Sequence, residues 1–375
     1  MTCKYLGVCG GCTEISLESK TAQASLLLNL SNFEVFSSQN SGFRARAEIG
    51  IYHLENKIHF AMRRLNPTSK KESRFVLIEN CPNLLPNIQQ ILFILKDLLN
   101  TTEFYNFTIR LFSLEILSSQ TNAILLTLIY HRNLTESWKK EAENLCQKLQ
   151  LALNLEIHLI GRSKGVKWVV GKDYLTESLR ILDKTYLYRY FEGAFTQPNP
   201  LINAQMITWI LRHLEDSKTQ DLLEMYCGCG NFTIPLAQKF RKVLATEISK
   251  TSIQAAQFAT QINQISNIHF VRLSGEECME ALNNVRKFHR LREIPLDSFR
   301  FSAVLIDPPR AGLGAEICHF LQRFQTIIYI SCNPVSLKKD LEILTQTHTI
   351  LHTAFFDQFP HTHHLESGVI LKSKF

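Results

Sequence analysis

Apolar residues in the second half of the chain fall into short runs, each closed by a polar or glycine-rich turn. Longer stretches of helix-forming residues separate them. Asp221 to Tyr226 is the first run and ends in Cys-Gly-Cys-Gly-Asn231. Val243 to Ile248 follows, then the Ala- and Gln-rich stretch from Lys250 to Asn263, whose composition favours a helix. Ile268 to Leu273 predicts a third strand and Glu276 to Arg292 a helix. Ser302 to Ile306 ends at Asp-Pro-Pro-Arg310, and Thr326 to Ile330 ends at Ser-Cys-Asn-Pro334. Two further β-rich segments cover Ile350–Phe356 and Gly368–Leu371. Strands alternating with helical stretches predict βαβ units and a mostly parallel sheet.

The first half is less regular. Arg44 to Ile51 and Lys57 to Arg63 alternate as a hairpin would, Leu84 to Leu99 and Glu136 to Leu149 read as helices, and Ala123–Tyr130, Leu155–Ile160 and Val166–Val170 read as strands. That pattern predicts a mixed α+β unit. At 375 residues the chain is long for one domain. A boundary is expected between Lys184 and Gln197, dividing an α+β half (1–190) from an α/β half (191–375).

Composition narrows the class. A hydrophobic fraction of 45% with 20% charged residues excludes wholesale disorder. No apolar run reaches the roughly 20 residues of a membrane span, and the N-terminus lacks a signal-peptide pattern. A cytoplasmic protein with no membrane association is expected. The net charge of +7 is uneven: residues 1–190 carry +6 and the remainder +1. An excess on one half suits a polyanionic partner.

The candidate chemistry gathers at strand ends, where open parallel sheets bind ligands. The glycines at 228 and 230 allow close backbone approach to a ligand, and Glu247 ends the next strand, where an acid can accept from ribose hydroxyls. Together they favour an adenosine-bearing cofactor. Thr233 stands where the third glycine of a dinucleotide fingerprint would be, which argues against NAD. Cys332, between a strand and a proline, is a candidate nucleophile. His361, His363 and His364 lack the helical spacing of a zinc site, so the better reading of that segment is a loop whose Glu366 acts as a base beside Cys332.

A second thiol group stands at the N-terminus. Cys3, Cys9 and Cys12, spaced C-x5-C-x2-C and joined by Cys81, suit a [4Fe–4S] cluster or a four-thiolate zinc site. A structural role is expected, holding the N-terminal segment against Cys81. Cys227 and Cys229 belong to the cofactor turn, and Cys146, Cys278 and Cys318 read as ordinary thiols.

The runs Thr196-Gln-Pro-Asn199, Glu224 to Phe232, Asp307-Pro-Pro-Arg-Ala-Gly312, Ile330-Ser-Cys-Asn-Pro334 and Phe356 to Glu366 together resemble the RNA uracil-5-methyltransferases. Phe43 to Glu48 and His158 to Arg162 extend the likeness over nearly the whole chain, and Asn284 to Leu291 favours the bacterial tRNA branch. The resemblance implies a C-terminal Rossmann-like class I S-adenosylmethionine-dependent domain and an N-terminal α+β RNA-binding domain. It implies that Gln197, Tyr226, Asn231, Glu247 and Asp307 line the S-adenosylmethionine site, that Cys332 adds to uracil C6, and that Glu366 removes the C5 proton. Arg310 is a candidate contact to the uracil or its enolate. The implied product is 5-methyluridine at position 54 of the tRNA T-loop, with tmRNA as a further substrate, by a monomer needing no protein partner. Arg44, Arg46, Arg63, Arg64, Lys70 and Lys71 are candidate RNA contacts. In the resembled superfamily the four-cysteine pattern with an iron–sulfur cluster belongs to the ribosomal RNA enzymes, so the same reaction on 23S RNA stays open. The Asp-Pro-Pro run also resembles that of amino methyltransferases, but Arg310 stands where those carry an aromatic residue.

Overall fold

The structure is a computed structural model that describes residues 3–65 and 74–375. Lys70 and Lys71 lie outside the described residues.

The chain opens with helix α1 (Leu17–Leu28), capped by the Ser16 hydroxyl, which accepts from the Ser19 amide. Strand β1 (Glu34–Phe36) follows. The expected hairpin is β2 (Arg46–Leu54) and β3 (Lys57–Arg63). Next come β4 (Phe75–Ile78), α2 (Pro86–Leu99), the single turn α3 (Tyr105–Thr108), β5 (Leu111–Ser118) and β6 (Ile124–Tyr130). Helix α4 (Glu136–Leu153) leads to β7 (Ile157–Ser163) and β8 (Val166–Val170). These strands form a seven-stranded sheet in the order β4-β3-β2-β5-β6-β7-β8. All its pairs are antiparallel except β6 with β7. That parallel pair needs a crossover, which α4 supplies. Ile88, Ile91 and Leu95 of α2 and Leu145 and Leu149 of α4 are wholly buried over the sheet.

A hairpin, β9 (Tyr174–Ile181) with β10 (Lys184–Phe191), precedes α5 (Pro200–His213). Then follow β11 (Ser217–Met225), α6 (Thr233–Leu236), β12 (Phe240–Thr246), α7 (Lys250–Ile262), β13 (Ile268–Val271) and α8 (Gly275–Leu282). The last elements are β14 (Phe301–Ile306), α9 (Ala315–Leu321), β15 (Thr326–Ser331), α10 (Pro334–Leu344), β16 (His348–Phe356) and β17 (Glu366–Ser373). The hairpin is tied to α7 by Arg189, whose guanidinium lies 4.0 Å from the Tyr174 ring centre and 3.4 Å from that of Phe258.

The second sheet has eight strands in the order β1-β16-β17-β15-β14-β11-β12-β13. Strands β11 to β15 pair in parallel, as expected, and β17 runs antiparallel between β15 and β16. The strand order reverses at β11, so the crevice beyond its carboxyl end is where this class of sheet takes ligands. The edge strand β1 pairs in parallel with β16, so residues from the start of the chain complete the sheet built by its end.

The helix expected over Glu276 to Arg292 is shorter. It stops at Leu282, because Asn284 adopts a left-handed conformation (φ 58°) and only a short 3-10 turn, His289–Leu291, resumes.

Candidate active site

The turn after β11 is built for close approach. Tyr226 stands at φ 63°, a conformation costly for a residue with a side chain, and Gly228 and Gly230 are also left-handed. A side chain at Gly228 would meet open space, whereas at Gly230 it would press on Ala256 and Ile234 at 3.3 Å. Glu247, just past β12, accepts from the Gly228 amide at 3.1 Å and from the Ser249 amide at 2.8 Å. Each carboxylate oxygen can accept twice, so it keeps capacity for a ligand hydroxyl. Burial pushes the Tyr226 phenol up to about 12, which keeps it a donor at neutral pH.

Two polar partners in this region, Asn203 and Gln358, are not among the residues the sequence assigns to the donor site. Asn231 and Asn203 of α5 exchange reciprocal amide hydrogen bonds, both 2.8 Å, so the Asn231 side chain fixes α5 against the turn. Gln197 accepts from Gln358 at 2.7 Å. Gln358 is wholly buried, and its own carbonyl oxygen has no partner. A third residue did leave a trace. Glu224 is an acidic residue inside the apolar run of β11, and it is wholly buried. Burial, with Asp307 adding repulsion and Thr233 opposing it, pushes Glu224 up to about 8.

Sheet register brings Cys332 and Glu366 together. Ser331 at the end of β15 pairs with Ser367 of β17, so the next positions on the two antiparallel strands are Cys332 and Glu366. The Cys332 turn is held tightly. Ser331 Oγ accepts from the Asn333 amide at 3.2 Å, Asn333 caps α10 by accepting from the Val335 amide at 3.1 Å, and Pro334 opens that helix. Asn333 also donates to the Arg310 carbonyl at 2.9 Å, which ties the Asp-Pro-Pro-Arg loop to the same turn. Below that loop, Asp340 accepts from the Leu313 amide (3.0 Å) and the Tyr329 hydroxyl (2.6 Å).

The electrostatics reflect the same closeness. Burial, then Asp307, pushes Glu366 up to about 8, while Arg310 opposes. Burial also raises Cys332, with Glu366 and Asp307 adding to it and Arg310 again lowering it. Asp307 is pushed up to about 7 by burial. Arg310 lies 3.4 Å from Nε2 of His364. Burial and then the neighbouring Arg310 depress the His364 imidazole, which favours the neutral ring as acceptor.

The candidate RNA contacts divide. Arg46 donates to the Ala194 carbonyl at 2.8 Å and lies 3.6 Å from Glu115, so it is engaged within the fold. Arg44 donates to the Arg46 carbonyl at 2.8 Å and stands 5.9 Å from the Phe359 ring. Arg63 is exposed, and Arg64 is partly so.

The four N-terminal cysteines lie near enough to affect one another's ionisation. Even so, among the described residues no three His, Cys, Asp or Glu side chains converge as metal ligands. The cluster expected from spacing is therefore not supported by this arrangement. Two of the thiols have hydrogen-bond partners of their own: Cys12 accepts from Asn83 at 3.0 Å and Cys9 from the Gly11 amide at 3.4 Å. His361 instead lies 3.0 Å from the Asn40 carbonyl. Among the described residues no helix is long and apolar enough to cross a membrane.

Comparison with known proteins gives a consistent picture. The model of the tRNA (uracil-5-)-methyltransferase family matches residues 14–374. A Wolinella succinogenes protein named tRNA/tmRNA (uracil-C(5))-methyltransferase is 44% identical over 384 residues, covering 100% of both chains. One of the same name from a Nitratiruptor species is 44% identical over 377 residues, covering 99% of each. Among solved structures, the Pyrococcus abyssi tRNA (uracil-54, C5)-methyltransferase in complex with S-adenosyl-L-homocysteine aligns with a TM-score of 0.69. It is 22% identical and covers 95% of this chain and 82% of that one. At that identity the likeness establishes the fold.

Proposed function

Because the chain belongs to the tRNA (uracil-5-)-methyltransferase family, we propose that it methylates C5 of uridine 54 in the tRNA T-loop, using S-adenosylmethionine as methyl donor. The single observation that carries the chemistry is the strand register that brings Cys332 opposite Glu366. Uracil C5 is a poor nucleophile. The Cys332 thiolate adds to C6, forming a C–S bond and an enolate that makes C5 nucleophilic. C5 then takes the donor's methyl group, and the sulfonium departs as the neutral thioether. The carboxylate of Glu366 removes the C5 proton, the C6–S bond breaks, and the thiolate is released. The proton on Glu366 passes to solvent. Arg310 beside both groups would stabilise the enolate. The uridine must leave its stack to reach them.

Gln197, Tyr226, Asn231, Glu247 and Asp307 would hold the donor. The left-handed turn and the open space at Gly228 support an adenosine-bearing ligand there. Residues 1–190, with their +6 charge, would form the RNA-binding half and grip the T-arm through phosphates, which position without specifying sequence. The relatives' names favour tRNA, with tmRNA beside it, over 23S RNA. Transfer of labelled methyl to unmodified tRNA, compared with tmRNA and 23S fragments, tests the assignment. Methylation of 23S fragments alone would overturn it.

The finer reading of the N-terminus is that Cys3, Cys9, Cys12 and Cys81 take up a [4Fe–4S] cluster. The C-x5-C-x2-C spacing joined by Cys81, with thiols near enough to raise one another's pKa, is what favours that donor set. Iron and sulfide content of anaerobically purified protein, compared with Cys12→Ser, decides between a cluster, zinc and free thiols.

A further inference from the structure

Lys20 sits on α1 and is 4% exposed. A buried ammonium has three hydrogens to satisfy, and all three find acceptors on one loop. Nζ lies 2.5 Å from Asp357 Oδ1 and 3.2 Å from each of the carbonyls of Phe359 and His364. That loop, residues 357–365, joins β16 to β17 and ends at Glu366. Phe356 and Glu366 pair across its base. Lys20 therefore grips the loop at its start, its middle and two residues before the proposed base.

The rest of the N-terminal segment closes on the same loop. The Thr13 amide donates to the His361 carbonyl at 2.6 Å, and the Asp357 amide to the Phe36 carbonyl at 2.9 Å. None of these contacts touches the turn at residues 226–231; the loop meets the proposed donor residues through Gln358, which donates to Gln197. A charge-paired buried lysine is a costly way to close a hairpin, since removing either partner strands the other.

We infer that Lys20 is a positioning residue for the methyl-transfer reaction: by holding the 357–365 loop it sets Glu366 against Cys332 for removal of the C5 proton. This rests on the reading of Glu366 as the base.

The test separates formation of the Cys332–RNA adduct from its decay, on denaturing gels, with donor affinity measured in parallel. Lys20→Met should form the adduct at close to the normal rate, slow its decay by tenfold or more, and bind S-adenosylmethionine within twofold of the parent. Lys20→Arg should recover part of the decay rate. If Lys20→Met does not fold, as judged by its circular dichroism and melting curve, Asp357→Asn carries the same comparison. Normal adduct decay in a folded variant would overturn the inference, as would a proportional fall in formation, decay and donor binding. Glu366→Gln run alongside distinguishes the two readings. If it too leaves decay unchanged, the assignment of the base has failed; if it alone slows decay, only the role of Lys20 has.

Discussion

The Tyr226 hydroxyl occupies the space a side chain on Gly275 would need: a Cβ there would fall 2.1 Å from the phenol oxygen and 2.9 Å from its ring carbon. Gly275 opens α8, where alanine would otherwise favour the helix by roughly 0.5–1 kcal/mol. Gly275→Ala should therefore leave global stability little changed while pushing Tyr226 off the donor turn. The expected loss is about tenfold in S-adenosylmethionine affinity, or ~1.4 kcal/mol. Titration calorimetry beside a melting curve checks both halves. Unaltered affinity would remove Tyr226 from the donor site.

Cys332→Ala should abolish both methylation and the covalent RNA adduct. Glu366→Gln should still form the adduct but slow its resolution by about 10²–10⁴-fold, the usual range for a lost general base. Single-turnover assays resolved on denaturing gels read the two steps apart. A Cys332→Ala protein that still made 5-methyluridine would sink the mechanism.

The pH dependence follows from the buried carboxyl. With its pKa pushed up to about 8, Glu366 is mostly protonated at neutral pH and gains its basic form as pH rises. Adduct decay should quicken through about pH 8 and then level off. Cys332 is also raised, so adduct formation gains with pH as well. Arg310 opposes both shifts, and Arg310→Ala should move both inflections to higher pH. Rate profiles of the two steps between pH 6 and 10 test the direction; movement to lower pH would contradict it.

Glu224 gives a prediction about stability alone. Its carboxyl moves from an ordinary 4.5 to about 8 because burial penalises the charge. The folded state therefore binds its proton more tightly than the unfolded chain does. Its favourable contribution is complete below about 4.5 and is lost as pH rises through about 8. Glu224→Gln should flatten the fall in melting temperature over that interval without donor present. Parallel slopes for the two proteins would show that Glu224 does not charge there.

How much of this could be read in advance depended on how local each cause was. The strands of the second sheet, its parallel order and the glycine turn announce themselves in runs of a few residues. So do Cys332 and Glu366, which stand in distinctive segments. The helix after β13 is shorter than its composition suggests because Asn284 ends it through backbone conformation rather than hydrophobic pattern. Lys20 and Asn203 left no mark, since what they do is decided by Asp357 and Asn231, residues distant along the chain. The α1–β1 segment has no strong apolar stripe and acquires its place through pairing with β16.

That edge strand bears on how the protein is made. Phe36 pairs with Phe356, so β1 leaves the ribosome long before the strand that partners it. At about 5–20 residues per second the delay is tens of seconds. Throughout it the exposed backbone of residues 34–36 and the ammonium of Lys20 remain in water. A nascent chain stalled before residue 357 would lack both the loop and β17, the strand that carries Glu366.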